Sequence, residues 1–155
     1  VKHFIDAGLP AFAIDPMQLL QGGNIVQQVI DWAAPKLGST PVLVYSTADT
    51  MDVKSAQAQI GVQAAGELVE KTLSDIAKAL VNMGVGQLIV AGGETSGSCV
   101  QALGITRLQV GMQVAPGVPW CHAATALDGR LVHLLLKSGN FGATDIFTQA
   151  FGLLV

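Results

Sequence analysis

The stretch Gln87-Leu88-Ile89-Val90-Ala91-Gly92-Gly93-Glu94-Thr95-Ser96-Gly97-Ser98 decides how this chain is read. A short apolar run reads as a buried strand, a glycine pair allows a tight turn, and hydroxyl residues lead into a helix. That helix is expected over 96–103, with Gly104 stopping it. Upstream, residues 53–83 predict a long helix. Leu68, Val69, Leu73, Ile76, Ala77, Leu80 and Val81 form its apolar face, Glu67, Glu70, Lys71, Asp75 and Lys78 lie largely off it, and Gly84 is its cap.

Further out, residues 11–14 and 41–45 read as strands. Between them the Gly22-Gly23-Asn24 opening predicts a helix to about Leu37, ended by Gly38. Downstream, 107–110 and 131–136 read as strands, and 144–151 as a helix with Thr144 as N-cap. The turn Ala115-Pro116-Gly117-Val118-Pro119-Trp120 carries two prolines, which argue against a central strand there. Apolar strands alternating with amphipathic helices predict an α/β layered domain with a mostly parallel, mixed central sheet flanked by helices. A length of 155 residues without repeat or low-complexity linker predicts one domain over 1–155.

Composition narrows the function classes. With 50% hydrophobic and 12% charged residues the chain can bury a core, so disorder is a poor reading. A net charge of -3 and eight scattered Lys and Arg residues argue against a nucleic-acid partner. No apolar run approaches the ~20 residues of a membrane helix, and no signal-peptide pattern opens the chain. Cys99 and Cys121 have no metal-ligand spacing, and two free buried thiols in a reducing cytosol is a simpler reading than a single disulfide. The start at Val1, inside an apparent helix, predicts a piece of a longer protein. So apolar a chain should expose an apolar face to the missing part or to a second subunit, as in a homodimer.

Two segments could carry chemistry. At Gly92, Gly93, Glu94, Thr95, Ser96 and Gly97 a strand end, a glycine turn and a helix start would aim unpaired N–H groups and a positive dipole end at one point, which suits a phosphate. Glu94 repels phosphate unless a Mg2+ ion lies between them. The spacing is neither a Walker A loop nor a full Gly-x-Gly-x-x-Gly pattern. The second segment, Lys137-Ser138-Gly139-Asn140-Phe141-Gly142-Ala143, leaves another apolar strand with a cation and bend-tolerant residues. For the first segment alone an ordinary loop without ligand is an equal reading and for the second alone the favoured one; two such loops, both leaving apolar strands, weigh against it.

Ser46 and Asp49 follow a strand and could line a site or cap the next helix. Trp120 could stack on an adenine, although a tryptophan in such a turn more often packs on the core. His3, His122 and His133 share no metal-ligand spacing, so no metal site is expected. No hydrolase triad or nucleophile elbow is present.

The glycine segment 88–97, the turn 115–120 and the segment 136–142, together with Val42-Leu43-Val44-Tyr45-Ser46-Thr47-Ala48-Asp49, resemble the C-terminal nucleotide-binding domain of the four-carbon acid sugar kinase family, in the style of its 3-oxo-tetronate kinases. The resemblance runs in order over essentially the whole chain. It implies an ATP-dependent kinase of a four-carbon sugar acid (3-oxo-tetronate, threonate or erythronate), with Mg2+ as cofactor. ATP contacts are implied at Gly92 to Gly97, Lys137, Gly139 and Asn140, with Ser46 as an addition. The family's N-terminal domain, which helps hold the sugar acid through an Asp-Asp segment, is missing here, so no catalytic base can be named. A non-catalytic nucleotide- or phosphometabolite-binding module is the alternative.

Overall fold

A computed structural model describes residues 1–38, 40–46, 58, 60–139 and 141–154. The chain divides into two compact units, Val1–Ile76 and Ala77–Val155. The α/β class expected from the sequence is the class observed, with helices alternating with parallel and mixed sheets.

In the first unit, α1 (Lys2–Asp6) precedes β1 (Ala11–Ala13), α2 (Pro16–Leu20) and α3 (Ile25–Ala33), which continues as a 3-10 turn, Ala34–Lys36. The local chemistry sets these boundaries. Asp15 caps α2 by accepting from the Met17 N–H at 2.8 Å, with Pro16 opening the helix. Asn24 caps α3 by accepting from the Gln27 N–H at 3.2 Å. Ile25, Val29 and Ala33 recur at helical spacing and are buried. β1 pairs in parallel with β2 (Leu43–Tyr45), and Phe12 meets the edge of Trp32.

The helix α4 (Val62–Asn82) starts later than the expected 53–83. Gly61 sits at φ +88°, a conformation a helix cannot contain, so a new helix starts just beyond it. Residues 53–57 and 59 lie outside the described residues. At the other end Gly84, at φ +108°, terminates the helix as expected.

The second unit holds a four-stranded sheet in the order β3 (Gln87–Ala91), β6 (Leu131–Lys137), β5 (Val118–Ala124), β4 (Gln109–Ala115). β3 and β6 run parallel; β6–β5 and β5–β4 are antiparallel. One face packs Val132 and Leu134 against Val81 of α4 and Leu103, just past α5 (Gly93–Ala102), while Val90 meets Ala77 and Cys99. The other face packs Val118, Trp120 and Leu135 under α6 (Ile146–Gln149) and the 3-10 turn Ala150–Leu153. Strands covered on both faces explain the continuous apolar runs.

Two expectations need correction. Pro119 and Trp120 do lie in a central strand, and the turn is only Pro116-Gly117, with Gly117 at φ +73°. Pro119 is tolerated because it faces Gln113 where the β4–β5 register shifts on both sides, so its missing N–H falls in an already interrupted ladder. The final helix starts at Ile146 rather than 144, with Asp145 at the N-cap position and a 3-10 finish. The edge strand β4 leaves Val110 70% and Met112 51% exposed. Among the described residues no helix is long and apolar enough to cross a membrane.

Candidate functional site

Both glycine segments leave the sheet at the carboxyl ends of neighbouring parallel strands. Ala91 pairs with Lys137, and the Gly92 N–H donates to the Lys137 carbonyl at 2.9 Å. Strands 46 residues apart in sequence thus deliver two ligand-tolerant loops to one sheet end, the position where α/β sheets collect ligands.

At the first loop, Gly92 stands at φ +116° and ψ +130°, outside the range of residues with a side chain, and its carbonyl accepts from the Ser96 N–H at 2.9 Å. α5 begins at Gly93, earlier than expected, so Gly93, Glu94, Thr95 and Ser96 make up its first turn. The opening N–H groups of a helix have no partner within it, and they carry its positive dipole end. Glu94 is exposed and lies in that turn, where its charge complements the dipole. Nothing lies within 4 Å of where a Cβ would stand on Gly93, Gly97 or Gly139, so a ligand could approach these backbones closely.

Ser96 is 9% exposed, and its Oγ has no hydrogen-bond partner. It shares a face of α5 with the buried Cys99 and Leu103. A buried hydroxyl without a partner normally costs stability.

Lys137 ends β6 and is 7% exposed. Its Nζ donates to the Ser138 and Gly139 carbonyls at 3.0 and 3.2 Å and lies 5.8 Å from the Phe147 ring centroid. Two of its three donors therefore hold the second loop in shape. Phe141 of that loop is half exposed and packs near Gly117. Asn140 lies outside the described residues, as do Thr47, Ala48 and Asp49. Ser46 follows β2 in the first unit and is half-buried.

Trp120 is fully buried, and its Nε1 donates to the Ala150 carbonyl at 3.0 Å, so it is a core residue and not a platform for a base. Sequence reasoning missed the orphaned Ser96 hydroxyl, the inward role of Lys137 and the pairing of His122 with His133. Only the last had a local signal: the two histidines stand at equal distance from the middle of the turn between β5 and β6. Cys99 and Cys121 are free and buried, and burial pushes the Cys99 thiol up to about 11.

A glycine turn into a helix thus lies beside a second glycine loop at one end of the sheet. The chain belongs to the family described as nucleotide-binding C-terminal domain, whose model matches residues 1–147. It is 49% identical over 145 residues to the 3-oxo-tetronate kinase of Burkholderia multivorans, which covers 94% of this chain and 33% of that protein. It is 44% identical over 150 residues to the enzyme of the same name from Cupriavidus necator, covering 97% and 34%. A solved Haemophilus influenzae protein superposes with a TM-score of 0.81 at 37% identity, over 95% of this chain and 35% of that one. The chain thus spans about a third of the length of the curated relatives it matches.

Proposed function

We propose that this chain is the ATP-binding part of a cytoplasmic kinase that phosphorylates a terminal hydroxyl of a four-carbon sugar acid of the 3-oxo-tetronate class. The observation that carries the reading is the Gly92–Lys137 backbone bond, which puts both glycine loops at one sheet end. The names of the relatives supply the acceptor class.

In this reading the first-turn N–H groups of α5 hold phosphate oxygens, with the Thr95 and Ser96 hydroxyls as further donors. The Gly139 backbone closes the other side, and the Lys137 ammonium holds that loop while adding positive charge nearby. The exposed Glu94 carboxylate and the Thr95 hydroxyl are hard oxygen donors of the kind Mg2+ takes. Mg2+, when bound, would neutralise charge on the nucleotide. Acceptor binding and proton removal fall to the rest of the protein.

The test is a thermal-shift titration of the 155-residue chain with ATP, with and without Mg2+, beside a Gly93→Val, Gly139→Val variant. A ligand that binds only the native state raises the melting temperature. The expected result is a dose-dependent rise that requires Mg2+ and vanishes in the folded variant. An equal rise in the variant would overturn the assignment to these loops. If neither the chain nor the full-length parent responds, the kinase reading falls.

A further inference from the structure

At the opposite end of β6 from the glycine loops, a polar row crosses one face of an otherwise apolar sheet. Gln109 of β4 pairs with His122 of β5, His122 with His133 of β6, and His133 with Gln87 of β3. Farther along the same face, Trp120 and Leu135 are sealed beneath α6 and the closing 3-10 turn. Around the histidines the face is open. Leu131 is 59% exposed, Ala124, Gln87 and Gln109 are exposed, and both imidazoles are half-buried.

The two rings meet edge to face, with centroids 5.3 Å apart and Nδ1 facing Nδ1 at 3.3 Å. Gly111 makes this possible, because a Cβ there would stand 2.6 Å from Cε1 of His122. With one proton between them the two nitrogens form a hydrogen bond. The same spacing also matches a metal centre: two imidazole nitrogens, each about 2.05 Å from a tetrahedral Zn2+, lie about 3.3 Å apart.

We propose that His122 and His133 are a chelating pair for a borderline divalent cation, Zn2+ being the one that fits the spacing. Imidazole suits Zn2+ and neighbouring transition metals and does not suit Mg2+. Among the described residues no third His, Cys, Asp or Glu joins the pair. The remaining positions are open to water and to the amide oxygens of Gln87 and Gln109 on the same face. For the neutral pair, binding moves the Nδ1 proton of the donor ring to its Nε2, leaving a lone pair on each Nδ1. For the singly protonated pair, the Nδ1 proton goes to solvent instead. Lys137 lies four strand steps beyond His133, about 13 Å, so the cation and a nucleotide at the glycine loops would not compete.

The experiment is a Zn2+ titration of the chelator-treated 155-residue chain, read by side-chain imidazole 15N NMR and by melting temperature, with Mg2+ as control. The expected result is a joint shift of the His122 and His133 Nδ1 signals, an unmoved His3 and a raised melting temperature. Mg2+ should do nothing, and acidification should reverse the Zn2+ effect. His122→Gln and His133→Gln should each abolish the response while remaining folded by circular dichroism. Gly111→Ala, which keeps both ligands but displaces a ring, should weaken it. Unmoved Nδ1 signals in the wild-type chain under excess Zn2+ would overturn the proposal without recourse to any variant. So would an undiminished thermal response in the His122→Gln, His133→Gln double variant, which would mean adventitious surface binding only.

Discussion

The N–H of Gly92 and the carbonyl of Lys137 are joined at 2.9 Å, at the point where each residue's strand gives way to its loop. The bond extends the parallel β3–β6 ladder by one step beyond the Ala91–Lys137 pair. A distortion that moves one loop must break this bond or carry the other loop with it.

Gly92 and Gly93 should behave differently although they are neighbours. Gly92→Ala forces a Cβ into φ +116° and to 3.1 Å from Thr95 Oγ1. It should cost about 1–3 kcal/mol in urea unfolding. Gly93 has no such constraint, so Gly93→Val should leave stability within about 1 kcal/mol while removing the MgATP thermal shift. Comparable destabilisation by both substitutions would show that the loop has a purely structural role.

Ser96→Ala separates folding from binding. The Oγ has no partner, so its removal should leave the unfolding midpoint unchanged or raise stability by about 1 kcal/mol. Nucleotide affinity, measured by calorimetry, should fall. A clear loss of stability with unchanged affinity would mean that the hydroxyl serves the fold.

Cys99 makes stability fall in alkali. Burial holds its thiol near 11 against 9.0 when unfolded, so the folded state favours the neutral form. Its contribution is full below pH 9.0 and is lost as pH rises toward 11. The loss amounts to about 2–3 kcal/mol. Urea midpoints from pH 8 upward should therefore drop more steeply in the wild type than in Cys99→Ala, with Cys121 common to both. Parallel pH profiles would contradict this.

Trp120→Phe tests what holds the C-terminal helices on the sheet. It leaves a buried Ala150 carbonyl without its 3.0 Å donor and a void beside Phe151. The expected cost is about 2–4 kcal/mol. The nucleotide-dependent thermal shift should persist in the folded fraction, because Trp120 belongs to the core and not to the loops.

Much of the fold was written in short-range chemistry. Gly84 and Gly104 end their helices with positive φ, and Asn24 caps its helix, because these depend on a few adjacent residues. The two glycine loops were legible as a pair of strand exits for the same reason. What could not be read locally was set by pairing. Pro119 is acceptable in a central strand only because of irregular register with Gln113, and the partner of a strand leaves no mark on its own sequence. The insertion of β6 between β3 and β5, and with it the meeting of His133 with Gln87, depends on such long-range pairing. Lys137 read as a free cation because nothing in its spacing reveals that the chain turns back and offers it two carbonyls.

The mixed sheet also bears on the order in which the domain assembles. β4, β5 and β6 form a meander joined by short turns, and such local closures cost little chain entropy. The parallel union of β3 with β6 must instead bring a strand from before the meander to the meander's last strand, a slower and more expensive closure. A nascent or partly refolded chain can hold a finished hairpin core and still lack any place for a nucleotide. If the nucleotide sits at the two glycine loops as proposed, ligand competence is the signature of completed folding, and a nucleotide analogue that favours the joined state would act on the domain as a folding aid.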